Sequence, residues 1–425
     1  MRRIVIYGFV LIFLVIAGIP AWSAAQGGLL QVGVTGQPPS EPARNPTAIL
    51  RSETVQRLIL DISERPRSGP EIATALGDQP FTVDDMVAVG LLREQDGKYW
   101  IDFNLLRVED QLRILEVSEQ FGRQLARAVL EHRNELEAIA QGHAQPGHDL
   151  SAEFLYFVLG CFSLDWDGLD LTEEKGWRLG AQREIGGATF TPWAKEKGAE
   201  ISLRGFYWGS HNTEVEGIKL TTFGDHHSLP RFALPDLFWS NTTSFRGYDE
   251  LPDETKTANR MFAVYEPDIS ADVARVMMEL GSRAQNVEAL SEGTGIDRVK
   301  LEPVLAFLEA AEYIELVGDA WQAKALVLRP EDADRVAAVV ELGRGIMLGW
   351  HEEHYESLRK SLSDLTPLRN GVPFERVYTE IWHFVFGFAN HILVEEGLFA
   401  DPYGEGRRYQ GFLPLVWDAS LGESP

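Results

Sequence analysis

The sequence predicts an α+β, mainly helical protein in which one unit occurs twice, with a β-rich insertion between the copies. Ser52–Gln111 and Ala271–Arg335 each read as helix, short helix, longer helix and a two-stranded hairpin closing on Trp. The hairpins are Leu91–Glu94 with Gly97–Trp100, and Tyr313–Leu316 with Gly318–Trp321. Each copy then enters a helix through nearly the same five residues, Leu106-Arg-Val-Glu-Asp110 and Leu328-Arg-Pro-Glu-Asp332. That order is the order of a winged helix, so the chain reads as tandem winged-helix repeats with helical extensions.

A chain of 425 residues has room for more than one core. Residues 1–25 are expected to be a signal peptide or a membrane anchor. Arg2 and Arg3 precede an apolar run from Ile4 to Ile19, and Ser23-Ala-Ala25 offers a cleavage site that leaves Gln26 as the mature N-terminus. The run is shorter than the roughly 20 residues of a comfortable membrane span. Residues 26–48, rich in Gly and Pro, read as a tether. Residues 49–177 and 266–425 are the two copies, and residues 178–265 are the insertion.

In the first copy Ser52, followed by Glu53, opens a helix whose Val55, Leu58, Ile59 and Ile62 share one face. Ser68-Gly-Pro-Glu71 starts the second helix, Thr82 with Asp84 and Asp85 the third, and Asp96-Gly97 turns the wing. One long helix is expected over Val108–Ala140. The second copy repeats this order, with a long helix over Pro330–Leu362 that sets His354 in the place of His132. Further on, Glu153…Phe157-Val158…Gly160 corresponds to Glu380…Phe384-Val385…Gly387, and Gly168-Leu169 to Gly397-Leu398. In the insertion Glu200–Trp208 and Glu216–Phe223 alternate as strands do, and Phe232-Ala-Leu-Pro235…Trp239 echoes Phe412-Leu-Pro414…Trp417.

Charge narrows the partners. Without Arg2 and Arg3 the 39 basic residues become 37 against 64 acidic, a net charge of −27. Such a chain repels nucleic acid. The helices at the recognition position, Thr82–Val89 and Ile296–Pro303, lack the excess of Lys and Arg that phosphate contacts need, so no nucleic-acid partner is expected. Cys161 is the only cysteine and lies in an apolar run, which reads as a buried structural thiol.

After its wing the second copy carries Leu348-Gly-Trp-His351 and then Leu368-Arg-Asn-Gly-Val-Pro-Phe-Glu-Arg-Val377. Over Asp272–Tyr378 it resembles the N-terminal winged-helix dimerisation domain of the class I small-molecule O-methyltransferases. In that family the segment leads to a domain that binds S-adenosylmethionine. The resemblance implies the dimerisation fold and, in a duplicated chain, an intramolecular pseudo-dimer that buries Phe154, Phe157, Trp382 and Phe386. It does not extend to methyl transfer. Only 47 of the 425 residues follow Tyr378, and they contain no Gly-rich strand-to-helix turn for the cofactor.

No nucleophile elbow, HExxH, P-loop or CxxC motif occurs, so no catalytic residue and no cofactor is assigned. The expectation is an exported, non-catalytic interaction or small-ligand-binding protein of the cell envelope, with a small molecule or an envelope protein as partner. Its ligand site is expected in the single-copy insertion, where Tyr207, Trp208, His211, Asp225, His226 and His227 set polar groups beside aromatics. The alternative is a metal-dependent enzyme using the insertion histidines. A second set of divalent-metal ligands is His351, His354, Glu380 and His383, at spacings that helical metal sites use. The plainer reading of the same residues is packing, since Tyr378, Trp382 and Phe386 share core spacing.

Overall fold

The computed structural model describes residues 28–180, 183–225, 271–310, 312–404 and 411–422. The signal or anchor segment, His226, His227 and the Phe232–Trp239 echo lie outside them. The protein is α+β and mainly helical.

Strand β1 (Leu30–Gly36) opens the described chain. The first unit follows: α1 (Pro46–Leu50), α2 (Glu53–Glu64), β2 (Arg67–Ser68), α3 (Gly69–Leu76), α4 (Val83–Ala88) and the hairpin of β3 (Leu92–Gln95) and β4 (Lys98–Ile101). Local chemistry sets each boundary. Ser52 accepts the Val55 N–H, Glu71 accepts the Ser68 N–H, and Thr82 with Asp85 forms a reciprocal capping box. Asp96 and Gly97, both at positive φ, make the tight turn of the wing. The sheet, ordered β2-β4-β3, and the three longer helices enclose Val55, Ile59, Ile62, Ile72 and Met86.

Strand β5 (Asn104–Leu106) leads into α5 (Val108–Leu130) and α6 (Arg133–Ala140). The single long helix expected over Val108–Ala140 is therefore broken at Glu131 and His132. Next comes α7 (Ser151–Leu155), which continues through a π-helix, Tyr156–Asp167, into α8 (Gly168–Glu174). Strands β6 (Arg183–Ile185) and β7 (Ala188–Glu196), the turn α9 (Glu200–Leu203), and strands β8 (Trp208–Val215) and β9 (Ile218–Asp225) complete the first half. The strand expected over Glu200–Trp208 is thus one helical turn and a loop. A run that short fits either period, and Gly205 at φ +92 turns the chain before β8.

The second half repeats the order: α10 (residues 271–282), α11 (Val287–Thr294), α12 (Arg298–Ala310), hairpin β10 (Ile314–Val317) and β11 (Ala320–Ala323), and β12 (Leu326–Leu328). Then come α13 (Ala333–Ser361), α14 (Thr366–Arg369), α15 (Phe374–Glu395) and β13 (Phe412–Asp418).

Strand registers correct the expected domain boundaries. β7 runs parallel to β5 and antiparallel to β1; β13 runs parallel to β12 and antiparallel to β9. With Leu106 set on Leu328, Phe190 and Pro192 fall on Phe412 and Pro414, and Gly36 falls on Gly224. The next N–H, of Gln37 or Asp225, donates to the carbonyl of Thr189 at 3.0 Å or Gly411 at 2.7 Å. A Cβ on Gly36 or Gly224 would meet that same carbonyl oxygen at 2.4 or 2.1 Å. The span 178–265 is therefore no separate unit among the described residues. β7 lies in the first sheet and β9 in the second, and among the described residues of that span, residues 197–217 have no counterpart.

Between the two α/β units lies a helical core in which α5 packs along α15 and α13 along the helix of residues 151–174. Phe154, Phe157, Trp382 and Phe386 are fully buried there. Glycines allow both crossings: a Cβ on Gly122 would meet Phe388 Cβ at 2.4 Å, and one on Gly343 would meet Ser163 Oγ at 2.1 Å. The π segment, bonded i to i+5, absorbs two residues, since residues 151–174 occupy the place of residues 374–395. Both helices end on a left-handed glycine, Gly176 or Gly397, after which Trp177 N–H bonds Thr172 O and Leu398 N–H bonds Leu393 O. Gly176-Trp177, rather than Gly168-Leu169, therefore matches Gly397-Leu398.

The repeated Leu-Arg-x-Glu-Asp motif makes reciprocal clasps. Asp110 accepts its own Arg107 N–H at 2.8 Å and the Thr366 N–H at 2.8 Å from the other half. Asp332 accepts the Arg329 N–H at 3.1 Å and meets His143 Nδ1 at 3.0 Å. The loops beyond these contacts are exchanged as well. Asn370 donates to Ser63 O and Arg376 to Asp102 O, while Gln145 donates to Ala323 O and Ala325 O. Asp110→Ala and Asp332→Ala are each expected to destabilise by about 1–3 kcal/mol, because a buried donor loses its partner. Urea unfolding checks this, and losses below about 0.5 kcal/mol in both would mean the clasps hold nothing.

Candidate functional site

Residues 197–217, which lack a counterpart among the described residues, run across the helical core, and their path is fixed by three contacts. Asp225 accepts the Gly205 N–H at 2.7 Å, and Trp208 Nε1 donates to Gly205 O at 2.7 Å. Gly387 on α15 admits the loop backbone, since a Cβ there would strike Phe206 O at 2.1 Å.

That path brings Tyr207 onto α15. Its ring stacks on His383, with centroids 5.1 Å apart and planes at 13°, and its hydroxyl donates to Glu380 Oε2 at 3.0 Å. Lys195, at the end of β7, places Nζ 2.6 Å from the same oxygen and 4.1 Å from the centre of the Tyr207 ring. Burial pushes the Glu380 carboxyl up, but Lys195, with His383 and Tyr207, outweighs it and holds the group below its ordinary value. Burial and the neighbouring Glu380 push the Tyr207 phenol well above its ordinary value.

His383 meets Thr379 O through Nδ1 at 2.7 Å, a carbonyl contact that requires a proton on Nδ1. Nε2 lies 3.8 Å from Asp165 Oδ1 on the π-helix. Burial raises the Asp165 carboxyl to about 6, against the opposing effects of His383 and Ser210. Ser210 on β8 also accepts Trp166 Nε1 at 2.7 Å. Two polar pairs therefore share one seam: a closed ion pair, Lys195–Glu380, and a looser pair, Asp165–His383. Cys161 beside them is raised well above its ordinary value by burial, which makes it a poor nucleophile.

The expected residues divide among several places. Tyr207 joins Glu380 and His383, which had been assigned to the metal set. Trp208 and Asp225 face each other across β8 and β9, both fully buried, and serve the loop and the core. His211 pairs with Thr222, on the face of β8 opposite Trp208 and Ser210. It is therefore not part of the seam. His351 is fully buried, stacks on Trp177 at 4.9 Å and 6°, and is lowered to about 4 by burial. His354 packs near Phe121 and Trp350. Among the described residues no group of three His, Cys, Asp or Glu side chains is placed to hold a metal.

Sequence reasoning missed Asp165, Lys195 and Ser210. A legible signal existed for Asp165, a lone carboxylate in the apolar stretch Phe157–Trp166. Nothing in the sequence paired Lys195 with a residue almost two hundred positions away. No protein-family model matches the chain, and no curated protein or solved structure is significantly similar to it. Among the described residues no helix is long and apolar enough to cross a membrane.

Proposed function

We propose that the chain is an exported, non-catalytic, small-ligand-binding protein of the cell envelope, built on two winged-helix units paired as a pseudo-dimer within one chain. The element order and strand registers of the two halves support the winged-helix reading, and the reciprocal clasps at Asp110 and Asp332 support the pairing. The observation that carries the ligand reading is the seam. There residues 197–217, a stretch without a counterpart among the described residues, deliver Tyr207 to Glu380 and His383 at a partly exposed edge of the core. Aromatic faces beside a few convergent polar groups are the usual makings of a small-molecule site. Asp84 and Asp85 on α4 set the first unit against a nucleic-acid partner.

Native mass spectrometry of protein purified from its own envelope, with elemental analysis alongside, tests this reading. The expected result is a mature chain starting at Gln26, a co-purifying small molecule that Tyr207→Ala removes, and no stoichiometric metal. One metal ion per chain, lost on His383→Ala, would replace this reading with that of a metal-dependent enzyme. Full-length protein recovered from the cytoplasm would refute export.

A further inference from the structure

We propose that the outer edge of β1 is an interface at which a second copy of this chain adds an antiparallel strand. β1 and β5 flank β7 as β9 and β12 flank β13, whereas β6 adds to β7 in the first sheet and β8 adds to β9 in the second. β9 is covered by β8, from Val215 opposite Ile218 to Trp208 opposite Asp225, whereas among the described residues β1 ends its sheet.

In an antiparallel ladder, alternate residues turn both backbone groups to the same neighbour. Gln37 N–H on Thr189 O and Lys197 N–H on Leu29 O set the odd-numbered residues of β1 towards β7. Leu30, Val32 and Val34 therefore turn outwards, as Ile218, Leu220 and Thr222 do towards β8. The Leu30 N–H is taken by Gln56 Oε1 at 3.0 Å. α1 packs on β1 but, among the described residues, gives no backbone hydrogen bond to Val32 or Val34.

The strand itself argues for a second copy as the occupant. Leu30-Gln-Val-Gly-Val-Thr-Gly36 holds no charge and no proline, the usual means of blunting an edge. It is also nearly symmetric about Gly33. A twofold axis there sets Val32 against the partner's Val34 and Gln31 against the partner's Thr35, the self-matching that a twofold interface requires. A chain of net charge −25 thus meets itself along a neutral strand. One strand pair falls well short of the roughly 1,600 Å² of a standard interface, so the dimer is weak and strengthens as salt screens the acidic bodies.

Light scattering across concentration and cysteine trapping test the interface in the mature chain. The expected mass rises towards twice the monomer at high concentration. Val34→Pro, which removes only an outward N–H, abolishes the rise without lowering the melting temperature. The double variant Gln31→Cys with Thr35→Cys is expected to cross-link on mild oxidation, because residues at a non-hydrogen-bonded pair lie within disulfide reach, whereas either single variant is not. A chain that stays monomeric throughout and does not cross-link overturns the proposal. So does a dimer that survives Val34→Pro, since it would use another surface.

Discussion

Lys195→Met is expected to destabilise the protein by about 3–5 kcal/mol, the usual loss when one member of a buried ion pair is removed. Glu380 is then left buried with only Tyr207 and His383 against its charge. Glu380→Leu in the same chain is expected to recover most of the loss, since the unpaired carboxylate goes with it. Urea unfolding at pH 7 across the double-mutant cycle isolates the coupling. A loss below about 1 kcal/mol for Lys195→Met would show that the pair is solvated, and the seam would no longer count as a buried polar site.

Two buried groups of the helical core oppose each other as pH changes. Asp165 titrates near 6 in the folded protein against 3.8 ordinarily, so between those values the folded state holds the extra proton. Its contribution to stability therefore falls as pH rises through that window, by about 3 kcal/mol in all. His351 titrates near 4 against 6.5, so there the unfolded state holds the extra proton. Its contribution is lost as pH falls through the window, again by about 3 kcal/mol. In the wild type the two nearly cancel between pH 4 and 6. Asp165→Asn is expected to be the more stable protein at pH 8, by up to about 3 kcal/mol, and to lose stability steeply on acidification where the wild type stays level. Melting curves from pH 4 to 8 decide the matter; parallel curves for the two proteins would show that Asp165 is not desolvated.

What the sequence revealed was local. The caps at Ser52, Ser68 and Thr82, the Asp96-Gly97 turn and the apolar face of α2 all depend on residues a few positions apart. Errors arose where a distant partner decides. β7 was placed in an insertion because its ladder partners, β1 and β5, lie far away in sequence. Gly168 was matched to Gly397 on a Gly-Leu pair alone, whereas the helix runs on through Gly168 and ends at Gly176. At the seam, Tyr207, Glu380 and His383 were each singled out, yet in two separate groups. Only the path of residues 197–217 over Gly387 shows that they touch.

The exchanged loops also impose an order on synthesis. Gln145 precedes its acceptors Ala323 and Ala325, so the second α/β unit leaves the ribosome with its fastener already made. The first unit has no such advantage. Thr366 follows Asp110 by 256 residues, and Asn370 follows Ser63 by 307. The N-terminal unit must therefore wait, held by its own small core, until Thr366 and Asn370 have been translated. Translation that stops before Thr366 leaves that unit with a buried aspartate lacking its distant donor, and with bare apolar helices for chaperones and proteases to find.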